Sequence, residues 1–264
     1  MDVNNIGLIG LGCVGETLRH WILENTDMKM RLYDPRLEYR DDIKGCPVVF
    51  IAVPVDNKSF KQDLSIIKDA INRCSRDALI IIRSSVLPGT CDELTKEFDQ
   101  TVCYMPEFLT ARRAQYDFNH QDVVVGVPNG TLSKSKDDVK VKLFQIFKDH
   151  KDISIHYNME CEMAKYTHNC FGAMKVTYFN IINNLCKKKN INFDTVRELS
   201  FATGFINREH TIVPGPDGRK GYGGTCFPVN MEAMIGYTMD DASVAFFKDI
   251  YCLNRFYRGD KDIS

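Results

Sequence analysis

NIGLIGLGCVGETLRHWILEN, Asn5 to Asn25, is the stretch whose reading decides the fold. An apolar run ends in three glycines, Gly10, Gly12 and Gly15, spaced G-x-G-x-x-G, and apolar residues then recur at helical intervals through Leu18, Trp21 and Ile22. In such a strand-turn-helix the first glycine permits the tight turn. The second lets a pyrophosphate approach the backbone, and the third lets helix and strand pack closely. The phosphates then rest on the positive end of the helix. Asp34 closes the next strand 19 residues after Gly15, suitably placed to accept from a ribose diol. A carboxylate there repels a 2′-phosphate, so the spacing predicts NAD over NADP, with Arg36 the neighbouring cation that bears on the choice.

Outward from this stretch, apolar runs alternate with helical patterns. Residues 5–12, 29–34, 47–54, 78–85, 101–108, 122–127 and 152–157 read as strands, several of them apolar throughout, as expected of strands covered on both faces. Residues 16–25 and 59–74 show helical spacing, and SKSKDDVKVK (133–142) reads as the solvated face of a helix. The alternation predicts an α/β, Rossmann-like, doubly wound and mostly parallel sheet over residues 1–158. From Met159 to about Lys189 there is no Pro and a single Gly, which predicts one helix about twice the ordinary length or more. Its terminal Lys187–Lys189 suit the negative end of the helix dipole and need no partner. Shorter helices are expected near 193–203, 228–237 and 241–257, with a Gly/Pro loop from Asn207 to Thr225. Residues 159–264 thus form a small all-α domain in this reading.

A net charge of −1 gives no basis for nucleic-acid binding or electrostatic attachment to membranes. The longest apolar runs are strand-length and too short to span a bilayer. The ten cysteines are scattered, with no C-x-x-C and the closest pair nine positions apart, so no zinc framework and no metal site is expected. With no secretory signal recognised at the N-terminus, reduced thiols in a cytoplasmic protein are expected, nine of the ten acting as small core hydrophobes.

The remaining cysteine is Cys226, in GYGGTCFPVN (221–230). On the long helix, Glu162, Lys165 and Asn169 stand at i, i+3 and i+7 and share one face. A lysine and an asparagine one turn apart can donate to one developing oxyanion, although the spacing alone better describes a solvated Glu–Lys pair. Six segments in order, GLGCVG (10–15), FIAVPVD (50–56), RSSVLPGT (83–90), MPEFLTARRAQYDF (105–118), CEMAKYTHNCFGAMKV (161–176) and GYGGTCFP (221–228), resemble the nucleotide-sugar dehydrogenases, the UDP-glucose/GDP-mannose dehydrogenase family.

The resemblance implies a two-step, NAD-dependent oxidation of an alcohol to a carboxylate. In it Cys226 is the nucleophile and Lys165 and Asn169 stabilise the oxyanion. Glu107 serves as base or water-positioning group, and the Ser85 hydroxyl helps hold the water. It further implies cofactor contacts from Gly10, Gly12, Cys13, Val14, Gly15, Asp34, Arg36, Val53, Pro54 and Ser84. Substrate contacts would come from Phe108, Leu109, Tyr222, Gly223, Gly224 and Arg208 beside Lys165 and Asn169. The expected substrate is a nucleotide sugar, most plausibly UDP-glucose converted to UDP-glucuronate. The expected assembly is a homodimer through the long helix, with Arg208 aligned on an arginine that reaches the partner's site.

Two departures from the pattern stand out. Val229-Asn230 replace the usual Lys-Asp after Cys-Phe-Pro, and an asparagine cannot accept a proton as the aspartate can. The family's further nucleotide-sugar-binding domain is also expected to be missing. Two alternatives follow: a catalytically weak or inactive NAD- or sugar-nucleotide-binding protein, or a β-hydroxyacid dehydrogenase-type enzyme that moves one hydride and needs no cysteine.

Overall fold

The computed structural model describes residues 3–130, 133–147 and 151–260. In chain order the elements are β1 (Asn5–Ile9), α1 (Cys13–Asn25), β2 (Lys29–Asp34), β3 (Tyr39–Arg40), β4 (Val48–Ile51), β5 (Asn57–Lys58), β6 (Lys61–Gln62), α2 (Ser65–Asn72) and β7 (Leu79–Ile82). Then come α3 (Thr90–Phe98), β8 (Val102–Tyr104), α4 (Ala114–Asn119), β9 (Val123–Val127), α5 (Ser133–Phe147) and β10 (Ile153–Tyr157). The rest is helical: α6 (Asn158–Lys188), α7 (Phe193–Leu199), α8 (Phe227–Tyr237) and α9 (Val244–Arg258). The chain divides into two compact units, Met1–Asp56 with Gln62–Lys165 and Asn57–Lys61 with Tyr166–Ser264. The long helix α6 therefore contributes to both.

The first unit is built on an eight-stranded sheet in the order β10-β9-β8-β7-β4-β1-β2-β3. Its pairings are parallel except β2 with β3 and β8 with β9. Alternate residues of the central strands enter opposite cores, as the period-2 pleat requires. Leu8, Phe50 and Ile81 join Leu18, Trp21 and Ile22 of α1 on one side. Ile9, Val49, Ile51, Ile80 and Ile82 join Ile67 and Ile71 of α2 on the other. This double cover is the reason the strands are apolar throughout. Phe118 of α4 carries two buried cations against its ring, with Lys151 Nζ 4.7 Å and the Arg83 guanidinium 5.3 Å from the centroid.

In the second unit Phe179 and Cys186 of α6 pack with Phe193 of α7. Helix α8 buries Met231, Ala233, Met234 and Ile235. One sequence expectation is corrected here. Residues 59–64 do not open a helix; they lie in the β5–β6 hairpin and its exit, and α2 starts only at Ser65. The turn uses left-handed backbone at Ser59 (φ 50°) and Phe60 (φ 64°), a conformation that no glycine announces. The hairpin packs on α8. Asn57 Nδ2 donates to the Val229 carbonyl at 2.6 Å, and a Cβ at Gly236 would collide with the Phe60 carbonyl.

The start of α6 is fixed by buried polar side chains. Asn158 donates from Nδ2 to Asp92 Oδ1 (2.9 Å) and to the Val102 carbonyl (3.0 Å), and its Oδ1 accepts from Tyr104 N (2.9 Å). One turn on, Glu162 is fully buried and accepts from Gly89 N (2.6 Å) and Cys91 N (2.8 Å) at the start of α3. The surface Glu162–Lys165 pair that the spacing allowed is not formed. Glu162 instead meets the positive end of another helix, where a carboxylate is favoured.

Burial pushes Glu162 up to about 7, against those two donors, which favour its charge. A folded-state value above the ordinary one, 4.5, means a stability contribution complete below that value and lost as pH rises through about 7. The expected outcome is that stability measured by denaturant titration falls between pH 5 and 8 by up to about 3 kcal/mol through this group. The Glu162→Gln variant would be less stable overall and would lack that slope.

Candidate active site

The three fingerprint glycines do different work. Gly10 takes a left-handed φ of 92°, and its N–H donates to the Tyr33 carbonyl at 3.0 Å. A Cβ there would strike the Ala52 carbonyl, and a Cβ at Gly15 would strike the carbonyl of Gly10. Both glycines thus serve packing within the β1–α1 turn. At Gly12, the N-cap of α1, a Cβ would meet nothing within 4 Å. That open flank beside the helix N-terminus is the feature a pyrophosphate requires.

Asp34 is buried, with Oδ2 accepting from Leu11 N at 2.9 Å and Oδ1 from Arg36 N at 3.0 Å. The exposed Arg36 side chain also covers it, Nη2 to Oδ2 at 3.1 Å. Burial pushes the Asp34 carboxyl up, but the Arg36 side chain and the two backbone donors outweigh it and hold it below its usual value. The carboxylate is thereby kept ionised at the strand end. Nearby, Ser84 Oγ donates to the Val53 carbonyl at 2.7 Å, Pro54 is exposed, and Cys13 and Val14 lie in the first turn of α1. This set fits a dinucleotide.

Still within the first unit, Lys165 Nζ is buried against Glu107. It donates to Oε1 at 2.9 Å and also to the Glu107 carbonyl. Glu107 Oε2 accepts from Leu109 N at 2.9 Å, and the Phe108 ring centroid lies 5.7 Å from Nζ. Ser85 is half-buried, its carbonyl accepting from Gln62 Nε2 at 3.0 Å.

Arg83, which the sequence analysis passed over, is fully buried, and its Nε and Nη1 have no hydrogen-bond partner among the described residues. Burial pulls it down to about 10, against the neighbouring Glu107 and Tyr104. Its signal was in the sequence, as a lone arginine closing the apolar run ALIII.

In the second unit, Asn169 and Asn230 are both buried, and Asn169 Nδ2 donates to Asn230 Oδ1 at 2.6 Å. Asn230 lies in the first turns of α8, its N–H donating to the carbonyl of Cys226 at 3.0 Å. Cys226 is the N-cap of that helix and is exposed. The Phe227 ring after it packs so tightly on α6 that a Cβ at Gly172 would lie 2.5 Å from it. Tyr222 is buried, with its ring edge-on to Phe227 at 6.3 Å, whereas Gly224 is exposed. Arg208 pairs with Glu198 at 2.6 Å and lies 4.7 Å from the Phe201 ring centroid.

The cysteine expectation needs correction. All ten are free thiols, but seven are buried rather than nine, with Cys13 and Cys252 exposed beside Cys226. Among the described residues no group of three His, Cys, Asp or Glu is placed to hold a metal ion, and no helix is long and apolar enough to cross a membrane.

Residues 16–148 match the NAD binding domain of the UDP-glucose/GDP-mannose dehydrogenase family, and residues 159–255 match its central domain. The chain belongs to this family. It is 32% identical over 213 residues to a UDP-glucose 6-dehydrogenase of Rickettsia bellii, a match that covers 74% of this chain and 46% of that protein. The chain therefore spans about half the length of the curated relatives it matches.

Among solved structures, a UDP-glucose dehydrogenase from Pyrobaculum islandicum superposes with a TM-score of 0.80 at 21% identity, over 96% of this chain and 68% of that one. A 3-hydroxyisobutyrate dehydrogenase from Mycobacterium tuberculosis superposes with a TM-score of 0.71 at 15% identity, over 100% and 97%. These likenesses bear on fold alone.

The geometry at Gly12 yields a clean separation of binding from folding. Gly12→Val is expected to leave the thermal midpoint within a few degrees of the parent and to weaken NADH binding at least ~10-fold, because its side chain enters only the phosphate space. Fluorescence titration with NADH checks this, and unchanged affinity would contradict the assignment.

Proposed function

We propose that the chain carries out the NAD-dependent oxidation of a nucleotide sugar's C6 alcohol to the carboxylate, with UDP-glucose the leading substrate and Cys226 the nucleophile. The observation that carries the proposal is on α6, where two buried polar side chains, Lys165 and Asn169, stand one turn apart. Lys165 is hydrogen-bonded to Glu107, named by the family resemblance, and Asn169 to Asn230, which stands where the family usually has aspartate.

The Gly10–Gly15 turn and Asp34 would hold NAD, which would supply one hydride acceptor per oxidation, a second NAD replacing the first NADH between the two steps. Lys165 and Asn169 donate to the sugar oxygen wherever it gains negative charge, and Lys165 exchanges the alcohol proton. Cys226 Sγ bonds to the aldehyde carbon while the carbonyl oxygen takes up a proton, giving a thiohemiacetal. Loss of the second hydride and that proton leaves a thioester on Cys226. Water oriented by Glu107 and Ser85 then breaks the carbon–sulfur bond, releasing the carboxylate and restoring the thiol. Asn230 can hold Asn169 but cannot take a proton, so hydrolysis is the step the Val229-Asn230 replacement slows.

The test is NADH yield per sugar over a panel of UDP- and GDP-sugars. Two NADH per sugar from the parent and at most one from Cys226→Ser are expected. One NADH per product, indifferent to Cys226, would instead fit single-hydride hydroxyacid chemistry. No turnover with any sugar would leave a binding protein.

The proposal includes a homodimer. Phe171, Tyr178 and Leu185 recur every seventh residue on α6 and are 59%, 53% and 50% exposed, an apolar row suited to a second copy. Sedimentation at micromolar concentration should show a dimer that Tyr178→Glu disrupts, and a strictly monomeric parent would contradict it.

A further inference from the structure

The glycines of GYGGTCFP suggest a backbone bared for a ligand, yet two of the three are occupied from behind by α9. Asn254 and Arg258 stand four residues apart on that helix and share a face. Asn254 brackets the backbone of Tyr222, its Oδ1 accepting from Tyr222 N at 2.6 Å and its Nδ2 donating to the Tyr222 carbonyl at 3.1 Å. Arg258 Nε donates to that same carbonyl at 2.9 Å, and Nη1 donates to Asp217 Oδ2 at 2.7 Å. From the loop, Arg219 Nη2 donates back to the Arg258 carbonyl at 2.6 Å. A second amide, Asn180 of α6, accepts from Gly221 N at 3.2 Å.

The glycine requirements follow from this clamp. Gly221 has a φ of 73°, and a Cβ there would lie 2.5 Å from Asn254 Oδ1. At Gly223 a Cβ would fall on the Arg258 guanidinium itself. Only Gly224, with a φ of 77°, has nothing within 4 Å of where its Cβ would be. The clamp ends four residues before Cys226, and Asn254 is itself buried.

We propose that Asn254 and Arg258 are positioning residues for Cys226: they fix the Gly221–Gly224 turn from behind, and through it the direction in which the thiol emerges at the N-cap of α8. This rests on the reading of Cys226 as the nucleophile. Neither residue touches the reacting atoms in this account. A loosened turn, which also bears the substrate contacts expected of Tyr222, Gly223 and Gly224, slows both oxidations through weaker sugar binding. In addition it lets uncaptured aldehyde escape, so the NADH yield per sugar falls.

The experiment compares the parent with Asn254→Ala, Arg258→Ala and Arg258→Lys, using NAD and UDP-glucose. It measures NADH per sugar, free aldehyde captured as its hydrazone, and amide exchange at Gly221 and Tyr222 in the protein alone. In both alanine variants the NADH yield is expected to fall from two toward one per sugar, with aldehyde released. Amide exchange at Tyr222 should be at least ~10-fold faster in Asn254→Ala, because a closed hydrogen bond is what protects it. Arg258→Lys, which keeps a donor and the charge facing Asp217, should recover most of the yield.

A merely structural role would lower both oxidations together and leave the ratio at two, which would overturn the proposal. If the parent yields one NADH or none whatever stands at position 226, the nucleophile reading fails. The clamp is then judged on exchange alone, where unchanged rates at Gly221 and Tyr222 would overturn it.

Discussion

A lysine and a glutamate withdrawn together from water constrain where α6 can lie in the first unit. Removing two charges from solvent costs several kcal/mol each unless they meet in good geometry with their remaining valences filled. Lys165 and Glu107 meet at 2.9 Å, and Glu107 spends its second oxygen on the Leu109 backbone. For this to hold, the first turns of α6 must lie at a fixed height and rotation against β8 and the segment that follows it. Glu162 and Asn158 supply that restraint from one and two turns earlier, each by hydrogen bonds from backbone N–H groups.

The second unit solves a different problem, presenting an exposed thiol from a loop. Its solution is to replace side chains within the loop by side chains from outside it. Gly221 and Gly223 give up their Cβ positions to Asn254 and Arg258, and Phe227 presses into the gap that Gly172 leaves in α6. Between α6 and the first turns of α8 the buried polar contact is made by amides, Asn169 with Asn230, rather than by an ionisable pair. Position 230 therefore holds its neighbour without moving a proton, a chemical difference confined to one side chain.

Much of the sheet was legible because its strands are covered twice: continuous apolar runs such as VVFI and LIII have no other stable use at that length. The glycine fingerprint was legible because each of its three positions answers a separate steric demand. The β5–β6 hairpin was not, since Ser59 and Phe60 adopt left-handed backbone that residue type does not signal and SFKQDL imitates helical spacing. Glu162 shares the expected face of α6 with Lys165 and Asn169, but its partners on α3 were not legible, because a helical wheel cannot report what another helix brings to that face. Asn254 and Arg258 had no signal of their own. Their role is defined by a loop about 30 residues earlier in the chain, and only the fold joins the two.

The central claim, that a thiol carries the sugar between two oxidations in a chain with asparagine at position 230, is tested most directly by the mass of the Cys226 peptide. The protein would be mixed with NAD and UDP-glucose and quenched in acid within the first turnovers. The expected product is an adduct on Cys226 equal to the sugar nucleotide less two hydrides and two protons, accumulating because hydrolysis is slow, and absent from Cys226→Ser. Formation of the carboxylate at full rate with no adduct at any time, and equally in Cys226→Ser, would contradict it.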